Sequence, residues 1–180
     1  MIPVSHVPLI ISMSPLSNFS CSMKKKIGII GLGNPLRADD GIGLLLLQYL
    51  QEHKKKLSKN IEFIDGGTSG MSLLHLLEQY NSVFLLDAVD FKGTPGEIKK
   101  FTIEEIKNQK IQFFLSTHEP DILTVFSLLK ELDKAPTHLL IFGVQPKDIS
   151  YRIGLSKEVH RVLPILQKKI LKEIQSIIKS

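Results

Sequence analysis

Short, unbroken apolar runs alternate along this chain with longer stretches in which apolar residues recur every three or four positions. The first kind reads as buried strand and the second as amphipathic helix. An apolar run within GIIGLGNPLRADDGIG (residues 28–43) predicts a first strand, ended by the turn Gly31-Leu32-Gly33-Asn34-Pro35. Asp39-Asp40-Gly41 then opens a helix over residues 42–52. A second strand over residues 61–64 stops at Asp65-Gly66-Gly67-Thr68, and helical spacing resumes over residues 69–79. Residues 83–86 are wholly apolar, the pattern of a central parallel strand, and end at Asp87. The lysine-bearing alternation of residues 96–102 suits an edge strand. Glu119-Pro120-Asp121 starts a helix reaching Leu132, and residues 139–142 form a last strand closed by Gly143. Residues 156–178 are helical in period, with Pro164 expected to bend the helix or split off its first turn.

The order βαβα places the chain in the α/β class with a mostly parallel sheet. At 180 residues the chain predicts a single domain, over residues 23–180. Residues 1–22 stand apart: they contain no Asp, Glu, Lys or Arg, are rich in proline and serine, and precede Met23-Lys24-Lys25-Lys26. We expect them to be a disordered or non-native extension. They lack the positive start of a signal peptide, and their apolar run is too short to span a bilayer.

Composition narrows the function classes. The single cysteine, Cys21, excludes an internal disulfide or a Cys-rich zinc site and fits a cytoplasmic protein. The net charge of +5 comes from scattered clusters such as Lys54-Lys55-Lys56 without interleaved aromatics, so solvated lysine is expected rather than a nucleic-acid surface. The glycine turn is not a dinucleotide fingerprint, because the sixth position is Leu36 and Pro35 interrupts it. G-x-S-x-G and H-E-x-x-H are both absent, although Ser116 lies near His118.

The chemistry concentrates where strands end. In a parallel sheet those ends share one edge, so Asp39, Asp40, Asp65 and Asp87 converge there. Asp87, after a buried strand, is costly unless paired or ligating. Asp39 is expected to cap the following helix, which makes Asp39→Asn a mild change. His118, in a loop before a helix, adds an imidazole, and one imidazole with two or three carboxylates suits nickel, zinc or manganese. His75 and His138 are expected to be structural or exposed.

Taken in order, Gly31-Leu32-Gly33-Asn34 with Asp39-Asp40-Gly41-Ile42-Gly43, Asp65-Gly66-Gly67-Thr68-Ser69-Gly70 and Leu86-Asp87-Ala88-Val89-Asp90 form a recognisable set. Pro95-Gly96-Glu97, Ser116-Thr117-His118 and Gly143-Val144-Gln145-Pro146 complete it. This set resembles the hydrogenase maturation endopeptidases. The resemblance implies a three-layer α/β fold: a twisted, mostly parallel sheet of about five strands with helices on both faces. It implies a peptidase, of aspartic or metal-dependent type, that removes a C-terminal peptide from the precursor of a [NiFe] hydrogenase large subunit. Asp40, Asp87 and His118 then bind nickel supplied by the substrate and carry the catalysis. Asp65, Gly66, Gly67 and Thr68 then recognise the substrate. It implies a cytoplasmic monomer with neither nucleic acid nor membrane as partner. A nickel-binding maturation chaperone without hydrolysis is the alternative. Peptidyl-tRNA hydrolase, which shares G-L-G-N-P, is a more distant one, because Asp39 and Asp40 at that mouth repel RNA phosphate.

Overall fold

A computed structural model describes residues 26–57, 60–68, 70–109, 112–113 and 122–179. Five strands make the main sheet: β1 (Ile27–Leu32), β2 (Ile61–Gly67), β3 (Ser82–Asp90), β4 (Ile98–Phe101) and β6 (His138–Val144). The helices are α1 (Ile42–Glu52), α2 (Ser72–Leu77), α3 (Ile103–Gln109), α4 (Ile122–Glu131) and α5 (Lys157–Lys179). The strand order is β2-β1-β3-β6-β4, parallel except for the antiparallel edge strand β4. A two-residue β5 (Gln112–Phe113), absent from the sequence reading, adds antiparallel to the far end of β3. The three-layer α/β expectation holds, with residues 96–102 placing the edge strand correctly.

Winding reverses at β1. The chain moves outward from β1 through α1 to β2, then back through α2 to β3 on the other side of β1. Right-handed crossovers in opposite directions put their helices on opposite faces. Accordingly α1 and α5 bury Ile42, Leu46, Leu50, Val159, Ile170 and Ile174 against one face. On the other, α2, α3 and α4 bury Leu73, Leu77, Ile106, Val125 and Leu129. β3 feeds both layers, Val83, Leu85 and Val89 to one and Phe84, Leu86 and Ala88 to the other. Its core position explains the apolar run. The reversal leaves a crevice beyond the C-terminal ends of β1 and β3, where open α/β sheets place their sites.

Several boundaries differ from the sequence reading. β2 continues to Gly67, with the register against β1 shifting between Gly31 and Leu32. β3 runs to Asp90, so Asp87 lies within the strand rather than after it. α5 continues unbroken through Pro164. Its apolar face packs on the sheet, and that burial outweighs the one hydrogen bond proline removes. Residues 1–25 and the expected helix start at Glu119-Pro120-Asp121 lie outside the described residues.

The glycines of the first loop serve close packing. Gly33 has φ +115°, and a Cβ on it would overlap the Asp40 carbonyl. A Cβ on Gly43 would run into the carbonyl oxygens of both Leu32 and Leu86, wedging α1 off the sheet. We expect Gly43→Ala to cost about 3 kcal/mol, the upper range for overpacking a rigid site. Gly67 also has positive φ, at +54°, but a Cβ added there would meet nothing within 4 Å. Gly67→Ala should therefore cost only the left-handed backbone penalty, about 1 kcal/mol. Urea unfolding of the two variants checks this, and equal midpoints would contradict the packing role.

Candidate functional site

The loop after β1 folds back on itself to deliver an acid. Asn34 accepts the Leu36 N–H on Oδ1 at 2.9 Å, and its own N–H donates to Asp40 Oδ2 at 2.9 Å. The Arg37 N–H bonds the Asn34 carbonyl at 3.0 Å, and the Asp40 N–H bonds the Arg37 carbonyl at 3.0 Å. A 3-10 turn, Ala38–Gly41, then runs directly into α1. Ala38 takes φ +45°, an unfavourable conformation for a residue with a Cβ, and its N–H is held by the Arg152 carbonyl at 2.7 Å.

Asp39 does not cap the helix. No side chain caps either the 3-10 turn or α1. Asp39 is 0% exposed and reaches across the sheet edge instead. Its Oδ2 accepts the N–H groups of Lys147 at 2.9 Å and Asp148 at 3.1 Å, and its Oδ1 accepts that of Ser156 at 2.7 Å. Ser156 in turn caps α5, its Oγ accepting the Val159 N–H at 3.3 Å. Asp39 thus ties the first loop to the segment between β6 and α5.

Asp40 and Asp87 do converge. Each is only 2% exposed. Asp87 Oδ1 accepts the Ala88 N–H at 2.8 Å, while Oδ2 is buried with no hydrogen-bond partner among the described residues. Burial pushes the Asp87 carboxyl well above the usual range, and the neighbouring Asp40 charge pushes it further. Burial also raises Asp40, against the Asn34 N–H and the Arg37 guanidinium, which favour its charged form. Two interacting buried acids suit proton exchange or capture of an arriving cation. Among the described residues the cluster stops at these two, with no group of three metal-ligating side chains.

The remaining candidates separate from that pair. Asp65 is exposed and turns its Oδ1 to the Gly67 N–H at 2.9 Å. It therefore belongs to a local turn, apart from the buried acids. Gly66 is buried, Gly67 is half-buried and Thr68 is exposed, so this loop presents a surface at the same sheet edge. His118 and Ser116 lie outside the described residues. His75 and His138 are exposed, as expected.

Sequence reasoning assigned no role to Gln145. Its buried side chain accepts the N–H groups of Phe91 and Gly93 on Oε1, both at 3.0 Å, and donates Nε2 to Asp90 Oδ1 at 3.0 Å. It fixes the turn after β3 and thereby one rim of the crevice. The signals were its place in the block Gly143-Val144-Gln145-Pro146 and its position directly after a buried strand, where unpaired amides are costly.

Two measurements test this geometry. Asp39→Asn places an NH2 group against backbone donors, so we expect a loss of about 2–3 kcal/mol in place of the mild effect first expected. In a chain this size that lowers Tm by roughly 5–10 °C, readable by calorimetry. Asp87 should behave oppositely. Its folded carboxyl keeps its proton where the unfolded chain has lost it, so the folded state binds more protons there. Stability then falls as pH rises from the ordinary carboxylate range through the raised folded value. Asp87→Asn removes that loss, and its Tm at pH 7 should equal or exceed the wild type, with a flatter decline. A markedly lower Tm would show Asp87 to be stabilising.

Residues 45–173 match the sequence model of the hydrogenase maturation protease family HycI. A Methanocaldococcus jannaschii hydrogenase maturation protease is 34% identical over 157 residues, covering 84% of this chain and 98% of that one. The hydrogenase expression/formation protein HupD of Thiocapsa roseopersicina is 33% identical over 124 residues, covering 69% of this chain and 56% of its own length. The chain therefore spans little more than half of that relative. Among solved structures, the hydrogenase maturating endopeptidase HybD from E. coli superposes with a TM-score of 0.69 at 26% identity, covering 84% of this chain and 93% of that one. On the match over residues 45–173, the identity to its relatives and the shared fold, this chain belongs to the hydrogenase maturation protease family.

Proposed function

We propose that the protein is an endopeptidase that trims a C-terminal peptide from a [NiFe] hydrogenase large-subunit precursor, with nickel already in that precursor as the recognition element. The observation that carries this reading is the buried Asp40–Asp87 pair, whose Asp87 Oδ2 lacks a partner among the described residues. Such a pair is complete only when a cation arrives. A substrate that brings its own nickel ion supplies that cation, and Asp87 releases its proton as it ligates the metal beside Asp40. Carboxylate and imidazole are suitable donors for nickel, and His118 is the proposed third ligand.

The protein then contributes positioning. Asp40 and Asp87 hold the metal-bearing segment at the sheet edge and fix which peptide bond lies beside it. The Asp65–Thr68 loop, with its exposed Asp65 and Thr68, contacts the chain beyond. Hydrolysis adds water across that bond: the hydroxyl joins the carbonyl carbon and the proton goes to the leaving amine. Nickel polarises the carbonyl or lowers the pKa of the attacking water. A carboxylate freed from the metal, Asp40 or Asp87, accepts the water's proton. The proposed setting is the cytoplasm, with the protein acting as a monomer.

Time-resolved mass spectrometry of purified protein with nickel-loaded and nickel-free precursor tests this. Only the loaded precursor should lose the mass of its C-terminal peptide. Asp87→Ala and His118→Ala should each slow processing by at least about a hundredfold, since each removes a group acting at the reacting centre. Normal processing by both variants refutes the site assignment. Nickel-dependent binding by the wild type without any mass change supports the chaperone alternative instead.

A further inference from the structure

Of seven exposed large apolar side chains among the described residues, four lie on the loops leaving the C-terminal ends of parallel strands. Leu36 follows β1, Met71 follows β2, and Tyr151 and Ile153 follow β6. Leu36 is 57% exposed, Tyr151 85% and Ile153 80%. Isolated exposed apolar residues are ordinary, but three on adjoining backbone at the rim of a site are not.

That rim is built rather than loose. Arg37 and Arg152 form an isolated parallel bridge. The Arg152 N–H bonds the Leu36 carbonyl at 3.0 Å, and the Ala38 N–H bonds the Arg152 carbonyl at 2.7 Å. Arg37 Nε reaches the Ile149 carbonyl at 3.3 Å, and its guanidinium lies 5.5 Å from the centre of the Tyr151 ring. Asp39 clamps both ends of the same segment, at Lys147, Asp148 and Ser156. The loop is therefore fixed in a form that presents Tyr151 and Ile153 to water. A pre-ordered apolar surface binds without the entropy cost of ordering itself.

Position and charge identify the occupant. The Asp40 N–H is bonded to the Arg37 carbonyl, so the rim adjoins the acid pair directly. A protein that delivers a peptide bond to Asp40 and Asp87 brings its folded body alongside this rim. Among the described residues Arg37, Lys147 and Arg152 border it, with Asp148 ion-paired to Arg152. A complementary face is apolar and bears carboxylates.

We propose that Leu36, Tyr151 and Ile153, ringed by Arg37 and Arg152, form a docking surface for an apolar, acid-bearing face on the folded body of the protein substrate. This rests on the protease reading for the identity of that substrate. It concerns binding of the body, separate from capture of the scissile segment by the acids.

The test uses the full chain carrying Tyr151→Ser and Ile153→Ser, with the nickel-loaded large-subunit precursor as probe. Steady-state processing should show KM raised at least about tenfold with a smaller effect on kcat, the signature of lost apolar anchors. Interferometry on an Asp87→Asn background, where turnover is removed, should show Kd for the precursor raised by at least about tenfold. A wild type that cleaves while the double variant keeps its KM and Kd overturns the docking surface alone. A wild type that binds through these residues but never cleaves retires the protease reading and keeps the surface. Sedimentation showing a wild-type dimer that the variant dissolves assigns the face to self-association and also overturns the proposal.

Discussion

Two acids buried side by side, with only the Arg37 guanidinium as a counter-charge among the described residues, are the constraint around which this structure is arranged. Burial alone opposes ionisation of Asp87, and the Asp40 charge adds to that opposition. Such a pair survives only in a frame that cannot relax by turning either side chain to solvent. The frame is the reversal of winding at β1, which places the loop after one strand beside the end of its neighbour. Glycine makes the approach close enough. Gly33 and Gly43 let the loop and α1 sit where any Cβ would strike a carbonyl.

The same edge shows how three acids of one type take three roles. Asp39 is satisfied at both oxygens by backbone donors and acts as a fastener. Asp40, one residue on, keeps a single backbone bond and faces its partner acid. Asp87 keeps one bond and, among the described residues, leaves an oxygen unpartnered. Capacity for chemistry follows the number of unsatisfied lone pairs rather than residue type. Stability and activity therefore pull apart at this site, a trade-off common where a charge awaits its ligand.

The clamp also connects the site to its surroundings. By holding residues 147–156 against the first loop, Asp39 fixes the rim that carries Tyr151 and Ile153. Gln145 does the equivalent for the turn after β3. Both rims are pinned by buried side chains bonding backbone, so the crevice is shaped before any partner arrives.

Local pattern was enough to determine most strand and helix types, a mostly parallel sheet with residues 96–102 at its edge, and the convergence of Asp40 and Asp87. Those features depend on periodicity and on the rule that parallel strands share one edge, both readable within a few residues. Sequence pattern set Asp39 apart from Asp40 but as a helix cap, because the donors that occupy Asp39 lie 108 to 117 positions away. Nor could it detach Asp65, which turns on its own backbone, from the buried pair. It missed Gln145 and the Arg37–Arg152 bridge for the same reason. Which carboxylate is a fastener and which is left without a partner is decided by contacts between distant segments, and only the folded chain contains them.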